Sequence, residues 1–113
     1  AVCSLLLAIV LVSCSSEEDV TVPPELVQPR AMQAILVDLS LGAALPDLDE
    51  TLGYRGQVMR RHAYYLDVLG DHGVSDSLFQ ASFDHYQRRQ PLFTALYDSV
   101  LAELSRREAR LQE

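Results

Sequence analysis

Pro91-Leu-Phe-Thr-Ala-Leu-Tyr-Asp-Ser-Val-Leu-Ala-Glu-Leu104 (PLFTALYDSVLAEL) carries the most regular pattern in the chain. Phe93, Leu96, Tyr97, Val100, Leu101 and Leu104 recur three and four residues apart, which puts them on one stripe of an α-helix. Pro91 suits a first helical turn, where its missing N–H costs nothing. This helix is expected over about Pro91 to Leu111. Past Leu104 the sequence becomes rich in Arg and Glu and is expected to fray beyond the core.

Reading back from Pro91, Arg88-Arg89-Gln90 closes a third helix, where cations meet the negative end of the helix dipole. That helix is expected to be capped by Ser75, with Asp76 in its first turn. Phe79, Ser82, Phe83 and Tyr86 share one of its faces. Asp71-His72-Gly73-Val74 makes a tight connection in which Gly73 takes the left-handed conformation at a helix end. The second helix is expected from about Leu52 to Gly70, weakened at its start by Gly53 and Gly56. Its apolar face reads as Val58, Met59, His62, Tyr65, Leu66 and Leu69, which makes His62 a hydrogen-bonded core histidine. Arg55, Arg60 and Arg61 give the other side a basic character. The first helix is expected to open at Pro24 or Glu25 and to end at Leu45-Pro46-Asp47, before an acidic loop through Glu50. Met32, Ile35, Leu36, Leu39 and Ala43 recur at helical spacing, and Val37 and Leu41 make the opposite side apolar too. Such a helix is buried on more than one side. Asp38 at the margin of its stripe is either a solvated edge carboxylate or the partner of an Arg on the second helix. No stretch alternates as a strand does. The expected class is all-α, a small bundle of three to four helices.

Upstream the chain changes character. Val2 to Val12 is apolar apart from Cys3 and Ser4 and bears no charge. Roughly ten residues are too few to span a bilayer, which takes about 20, and they fit the apolar core of a secretory signal peptide. Leu11-Val12-Ser13-Cys14 follows the lipobox pattern: apolar, apolar or small, small, then Cys. The Cys14 thiol is the nucleophile that takes a diacylglycerol, and the small Ser13 opens the peptide bond to the signal peptidase. Two or three acyl chains, at about 0.8 kcal/mol per buried CH₂, hold a protein at a membrane. Residues 1–13 are therefore expected to be a lipoprotein signal peptide, truncated at its N-terminus because no basic segment or initiator Met precedes Ala1. Residues 14–23 are expected to be a lipidated Cys14 and a flexible acidic tether, and residues 24–113 the helical domain. Ser15-Ser16-Glu17-Glu18-Asp19 resembles the export signal that sends lipoproteins of the Bacteroidota to the cell surface; a solvated spacer has the same composition. The expected location is the outer membrane, lipid-anchored, on either its periplasmic or its cell-surface face.

The formal net charge is -7, unevenly spread. Before Gly53 eight acidic residues meet Arg30 alone; from Gly53 on, eight Arg meet eight Asp and Glu. Nucleic acid calls for clustered cations, so it is not an expected partner. All nine basic residues are Arg, and Lys, Asn and Trp are absent. A GC-rich genome explains that usage, and a salt-adapted host fits it as well. With Cys3 removed and Cys14 acylated, the mature domain holds no free thiol and no disulfide.

Motifs for catalysis are missing. There is no Gly-x-Ser-x-Gly and no glycine-rich phosphate loop. His62, His72 and His85 stand far apart, with no His-x-x-x-His pair to set two ligands on one helix face. Asp71-His72 and Asp84-His85 are sequence neighbours, which point apart on a helix. Carboxylates are plentiful but are expected in the tether and loops, where burial cannot raise a pKa for acid–base work. No catalytic residue, metal, cofactor or small-molecule substrate is expected; an enzyme would need the fold to bring His62 or His85 beside Asp38 in a cleft. The five tyrosines (Tyr54, Tyr64, Tyr65, Tyr86, Tyr97) say more. Tyr64 and Tyr65 point to different sides, so one is expected outward. Exposed Tyr with Arg is what protein interfaces favour, although phenols also cap the edges of small cores.

The order of several pieces resembles a known family. Pro24-Glu25-Leu26-Val27 precedes Met32-Gln33-Ala34-Ile35-Leu36-Val37-Asp38-Leu39. Tyr65-Leu66-Asp67-Val68-Leu69 leads into His72-Gly73-Val74-Ser75. Phe79-Gln80-Ala81-Ser82-Phe83-Asp84-His85-Tyr86 and Leu96-Tyr97-Asp98-Ser99-Val100-Leu101 follow. Behind a lipobox, this series is similar to the small Bacteroidota lipoproteins grouped as domain of unknown function 4296, over roughly Val22 to Leu104. The chain departs from that pattern in lacking a Lys before the His-Gly turn. The resemblance implies an envelope lipoprotein with an all-helical domain and supplies no activity. The expected function is a membrane-anchored, non-catalytic binding or accessory module with an envelope protein partner. The alternative is a periplasmic chaperone-like factor for secreted or outer-membrane proteins. It draws on a short similarity of Val74-Ser75-Asp76-Ser77-Leu78-Phe79 to Tyr86 and Pro91-Leu92-Phe93 to the helical segment flanking parvulin-type prolyl isomerases.

Overall fold

Residues 21–42 and 51–112 are described by a computed structural model. They form α1 (Pro29–Gly42), α2 (Tyr54–Asp71), α3 (Asp76–Gln87) and α4 (Gln90–Leu111), with no strand among the described residues. The all-α class and the four segments follow the apolar spacing. The signal peptide, Cys14, the tether as far as residue 20 and the expected end of the first helix at Leu45-Pro46-Asp47 lie outside the described residues.

α1 packs against α4 on one side and α2 on the other, and α3 also packs against both. That double contact is why α1 is apolar nearly all round: Met32, Ile35 and Val37 are fully buried. Leu41 on the same side as Val37 stays 47% exposed. α1 and α4 run parallel, with Gln33 Nε2 donating to the Ser99 carbonyl at 3.3 Å and Asp38 approaching Arg107 further along. α3 runs the other way, since Val27, just before α1, bonds Ser82 and Tyr86 late in α3.

Those last bonds also correct the start of α1, which opens at Pro29 and not at Pro24 or Glu25. Pro23 to Leu26 make a turn, closed by Leu26 N–H donating to the Pro23 carbonyl at 3.0 Å. The Val27 N–H donates to Ser82 Oγ at 2.9 Å, and its carbonyl accepts from the Tyr86 hydroxyl at 2.8 Å. A residue whose backbone serves α3 has none left for its own helix. Gln28 is then held out of the helical region by the ring of Pro29, which takes the first helical position.

The connection after α2 forms as expected. Gly73 has φ 67°, the Gly73 N–H donates to the Gly70 carbonyl at 3.0 Å, and the Val74 N–H reaches back to Leu69 at 2.9 Å. This is the paired closure of a Schellman motif, with Val74 packed on the core. Ser75 Oγ then accepts from the Leu78 N–H at 3.1 Å and caps α3.

Two stripes are displaced from their expected places. On α4, Leu92, Leu96 and Val100 are buried, while Tyr97 and Leu101 are exposed. The stripe read from the sequence lies about one residue round the helix from the true one, toward Tyr97 and Leu101. On α2 only Val68 and Leu69 are buried; Val58, Met59 and Leu66 of the expected apolar face are exposed. The end of α4 does not fray at Leu104. Glu103 holds Arg106 at 2.7 Å, Arg107 at 3.2 Å and Arg110 at 3.4 Å. These spacings tie successive turns and carry the helix to Leu111.

Candidate interaction surface

α2 meets its neighbours through its C-terminal half. Gly42, the last residue of α1, lies against the Tyr64 ring so closely that a Cβ there would sit 1.8 Å from Tyr64 Cε1. The Tyr64 hydroxyl donates to the Asp38 carbonyl at 2.7 Å. On the next residue, the Tyr65 hydroxyl donates to Asp76 Oδ1 at 2.5 Å, at the first residue of α3. Tyr64 and Tyr65 do point to different sides, but neither is outward: both are half-buried, each pinned to a different helix. Before Tyr64 no residue of α2 is buried.

The result is an apolar, cationic helix end. Tyr54 is 84% exposed, Met59 66%, Val58 45% and Leu66 44%. Val58, His62 and Leu66 stand one turn apart, with Met59 beside them. Between Thr51 and Leu66 the chain has Arg55, Arg60, Arg61 and His62 and no Asp or Glu. Arg60 and Arg61 are engaged within the chain. His62 is not a core histidine. It is exposed and stacks on Tyr65, with ring centroids 6.2 Å apart.

From His62 a file of rings crosses three helices. Tyr65 meets Phe79 edge-on at 5.7 Å, Phe79 stacks on Phe83 at 5.7 Å, Phe83 meets Phe93 at 6.2 Å, and Phe93 tilts onto Tyr97 at 4.7 Å. The steps Phe79–Phe83 and Phe93–Tyr97 are four residues apart and visible in the sequence. The steps between helices are not. Burial and the bond to Asp76 push the Tyr65 hydroxyl up to about 12. The same bond, with a second from Gln80, holds the Asp76 carboxyl below its ordinary value.

Asp38 takes neither of its expected roles. Its Oδ2 lies 2.8 Å from His72 Nε2, and Arg107 Nη1 lies 4.0 Å from its Oδ1. An Asp holding a His can orient an imidazole for proton transfer. Among the described residues no Ser, Thr or Cys side chain joins the pair, which ties α1 to the α2–α3 turn. His62 and His85, the histidines whose approach to Asp38 would have pointed to an enzyme, lie elsewhere. His85 is on the last turns of α3 with its Nε2 buried and unbonded, beside a cleft of about 320 Å³ shared with Val22, Pro23, Pro24 and Arg89. A second cleft of about 280 Å³ lies between the start of α1 and α4, lined mainly by Pro29, Leu92, Ala95 and Leu96 with Arg30 at its rim. Among the described residues no cluster of three His, Cys, Asp or Glu is placed to hold a metal ion, and no helix is long and apolar enough to cross a membrane.

Neither the curated proteins nor the solved structures hold a match to this chain. The described helices and the turn before them lie almost wholly within a family match spanning residues 23–110, and the chain belongs to that family, described as Domain of unknown function (DUF4296).

Proposed function

We propose that this protein is a membrane-anchored envelope lipoprotein whose helical domain is a non-catalytic binding or accessory module. The lipid is carried by Cys14, and the place is the outer membrane. The observation that carries the binding role is the start of α2, which leaves Tyr54, Val58, Met59 and Leu66 exposed. Apolar side chains held on a rigid helix lose water at little entropic cost when a partner covers them. The lipobox at Leu11-Val12-Ser13-Cys14 supports the anchor. Replacing Cys14 by Ser is the first test: the protein is expected to leave the membrane fraction and keep its signal segment. Unchanged processing and distribution would sink the anchor. The second test is affinity capture of the tagged full chain from detergent-solubilised membranes, with recovery of one stoichiometric partner expected. Met59→Asp is expected to lose that partner while keeping the fold.

A chaperone-like role for secreted or outer-membrane proteins is the second reading. It draws on the same exposed side chains, which an unfolded client would cover transiently. Suppression of aggregation of unrelated unfolded outer-membrane proteins, with no stoichiometric partner, would favour it over the first.

A further inference from the structure

We propose that the cleft between the start of α1 and α4 binds a small-molecule carboxylate. Its apolar ring or short chain lies over Leu92, Ala95 and Leu96, and its carboxylate pairs with Arg30. The inference goes beyond the binding-module reading, because it adds a small ligand that no sequence motif announces. It stands whether or not Cys14 carries a lipid.

The cleft is a gap in the seam between two helices. α1 and α4 pack side by side and run parallel. At the level of the cleft the exposed residues are Pro29 and Ala95, whose side chains are too small to close the seam, and about 280 Å³ stays open. The floor is core: Leu92, Leu96 and Tyr86 are buried in one cluster, so it is close-packed and holds its shape. The Tyr86 hydroxyl is already bonded to the Val27 carbonyl and asks nothing of a ligand. Gln33 Nε2 reaches across to the Ser99 carbonyl at 3.3 Å and ties the two helices beside the opening. Mostly apolar clefts with a few fixed polar groups are where small ligands bind. A cavity of about 150 Å³ takes a benzene ring, so this one suits a ring with a short chain.

Arg30 sets the charge of that ligand. It is the one basic residue before Gly53, and among the described residues it makes no ion pair or side-chain hydrogen bond. The arginines of α3 and α4 differ: Arg88 pairs with Asp84, and Arg106, Arg107 and Arg110 share Glu103. Among the described residues no Asp or Glu lines the cleft. In a chain of net charge -7, an apolar cleft with a lone cation at its rim is matched by a ligand that brings one carboxylate. Guanidinium and carboxylate pair through two parallel hydrogen bonds. A phosphate carries nearly twice that charge at neutral pH, and no second cation lines the cleft among the described residues.

The test is a titration of phenylbutyrate into the isotope-labelled full chain in neutral lipid nanodiscs, followed by amide resonances. Saturable shifts are expected at Arg30, Gln33, Ala95, Leu96 and Ser99. The expected dissociation constant is in the millimolar range, as for a ligand of about a dozen heavy atoms. Phenylbutyramide has the same shape without the charge and is expected to bind about tenfold more weakly; Arg30→Gln is expected to weaken phenylbutyrate by the same factor. Ala95→Leu fills the mouth of the cleft and is expected to abolish the shifts, with circular dichroism confirming its helix content. Arg55→Gln, on α2, is expected to leave binding unchanged. The proposal is overturned by the absence of saturable shifts in the unsubstituted chain, by shifts centred elsewhere, by equal binding of the amide, or by an Arg30→Gln chain that binds as before. The anchored-module reading fails separately, if Cys14→Ser leaves the protein in the membrane fraction.

Discussion

Ser82 is the residue on which the segment before α1 and α3 meet. It is fully buried; its hydroxyl accepts from Val27 N–H at 2.9 Å and donates to the Leu78 carbonyl at 2.7 Å. Tyr86, also fully buried, takes the Val27 carbonyl. Ser82→Ala strands a buried N–H and is expected to cost about 1–3 kcal/mol, and Tyr86→Phe strands the carbonyl for a similar loss. Urea denaturation of both singles and the double checks this; because both bonds hold one peptide unit, the double is expected to cost less than the two singles added. Burial pushes the Tyr86 hydroxyl up to about 12, and Tyr65 stands as high. Both phenols are therefore favoured neutral in the fold. Their contribution is intact below the ordinary value of about 10 and is lost as pH rises from there through about 12. Asp76 works in the opposite direction. Its lowered carboxyl stabilises the fold above the ordinary carboxylate range, and that support goes as pH falls through its folded value. Thermal melts from pH 2 to 12 are expected to show a loss at each end, and Tyr65→Phe to shrink the alkaline one.

At the scale of the helices, the tightest fit is that of α1 on α2. Gly42 is required because the Tyr64 ring fills the space of a side chain. The ring cannot swing aside without breaking its bond to the Asp38 carbonyl. Gly42→Ala is expected to cost about 1–3 kcal/mol by overpacking. Adding Tyr64→Ala is expected to remove the clash, so that Gly42→Ala has little further effect in that background. The end of α4 depends on Glu103, whose carboxyl the Arg106 and Arg107 bonds hold below its ordinary value. Glu103→Ala is expected to speed amide exchange from Arg106 to Leu111 while leaving global stability nearly unchanged, since exposed pairs contribute little.

Across the whole molecule, order is unevenly distributed. None of residues 54–63 of α2 is buried, whereas Val68 and Leu69 are buried against the core. Hydrogen exchange is expected to be fastest at the start of α2 and slowest around Met32, Ile35 and Tyr86. Covering Met59 with a partner is expected to slow exchange across Tyr54 to Leu66 alone. Protection spread evenly over all the helices would mean that the partner binds elsewhere.

What the amino-acid order determined was local. Apolar residues three and four apart make helices wherever they occur, so the all-α class, the four segments, the Gly73 turn and the Ser75 cap were legible without any partner helix. Tertiary structure decided which faces those helices bury. Val58, Met59 and Leu66 have the same spacing as a buried stripe, yet they stay exposed, since the buried contacts of α2 lie at Val68 and Leu69, near its other end. Asp38 found His72 because α1 packs against α2, and Tyr65 found Asp76 because the chain turns back at Gly73; pairings between helices leave no mark in helical spacing. The start of α1 was set the same way, by hydrogen bonds from residues more than fifty positions further along the chain. Helical spacing records which residues share a side of a helix; what lies against that side depends on where the rest of the chain goes.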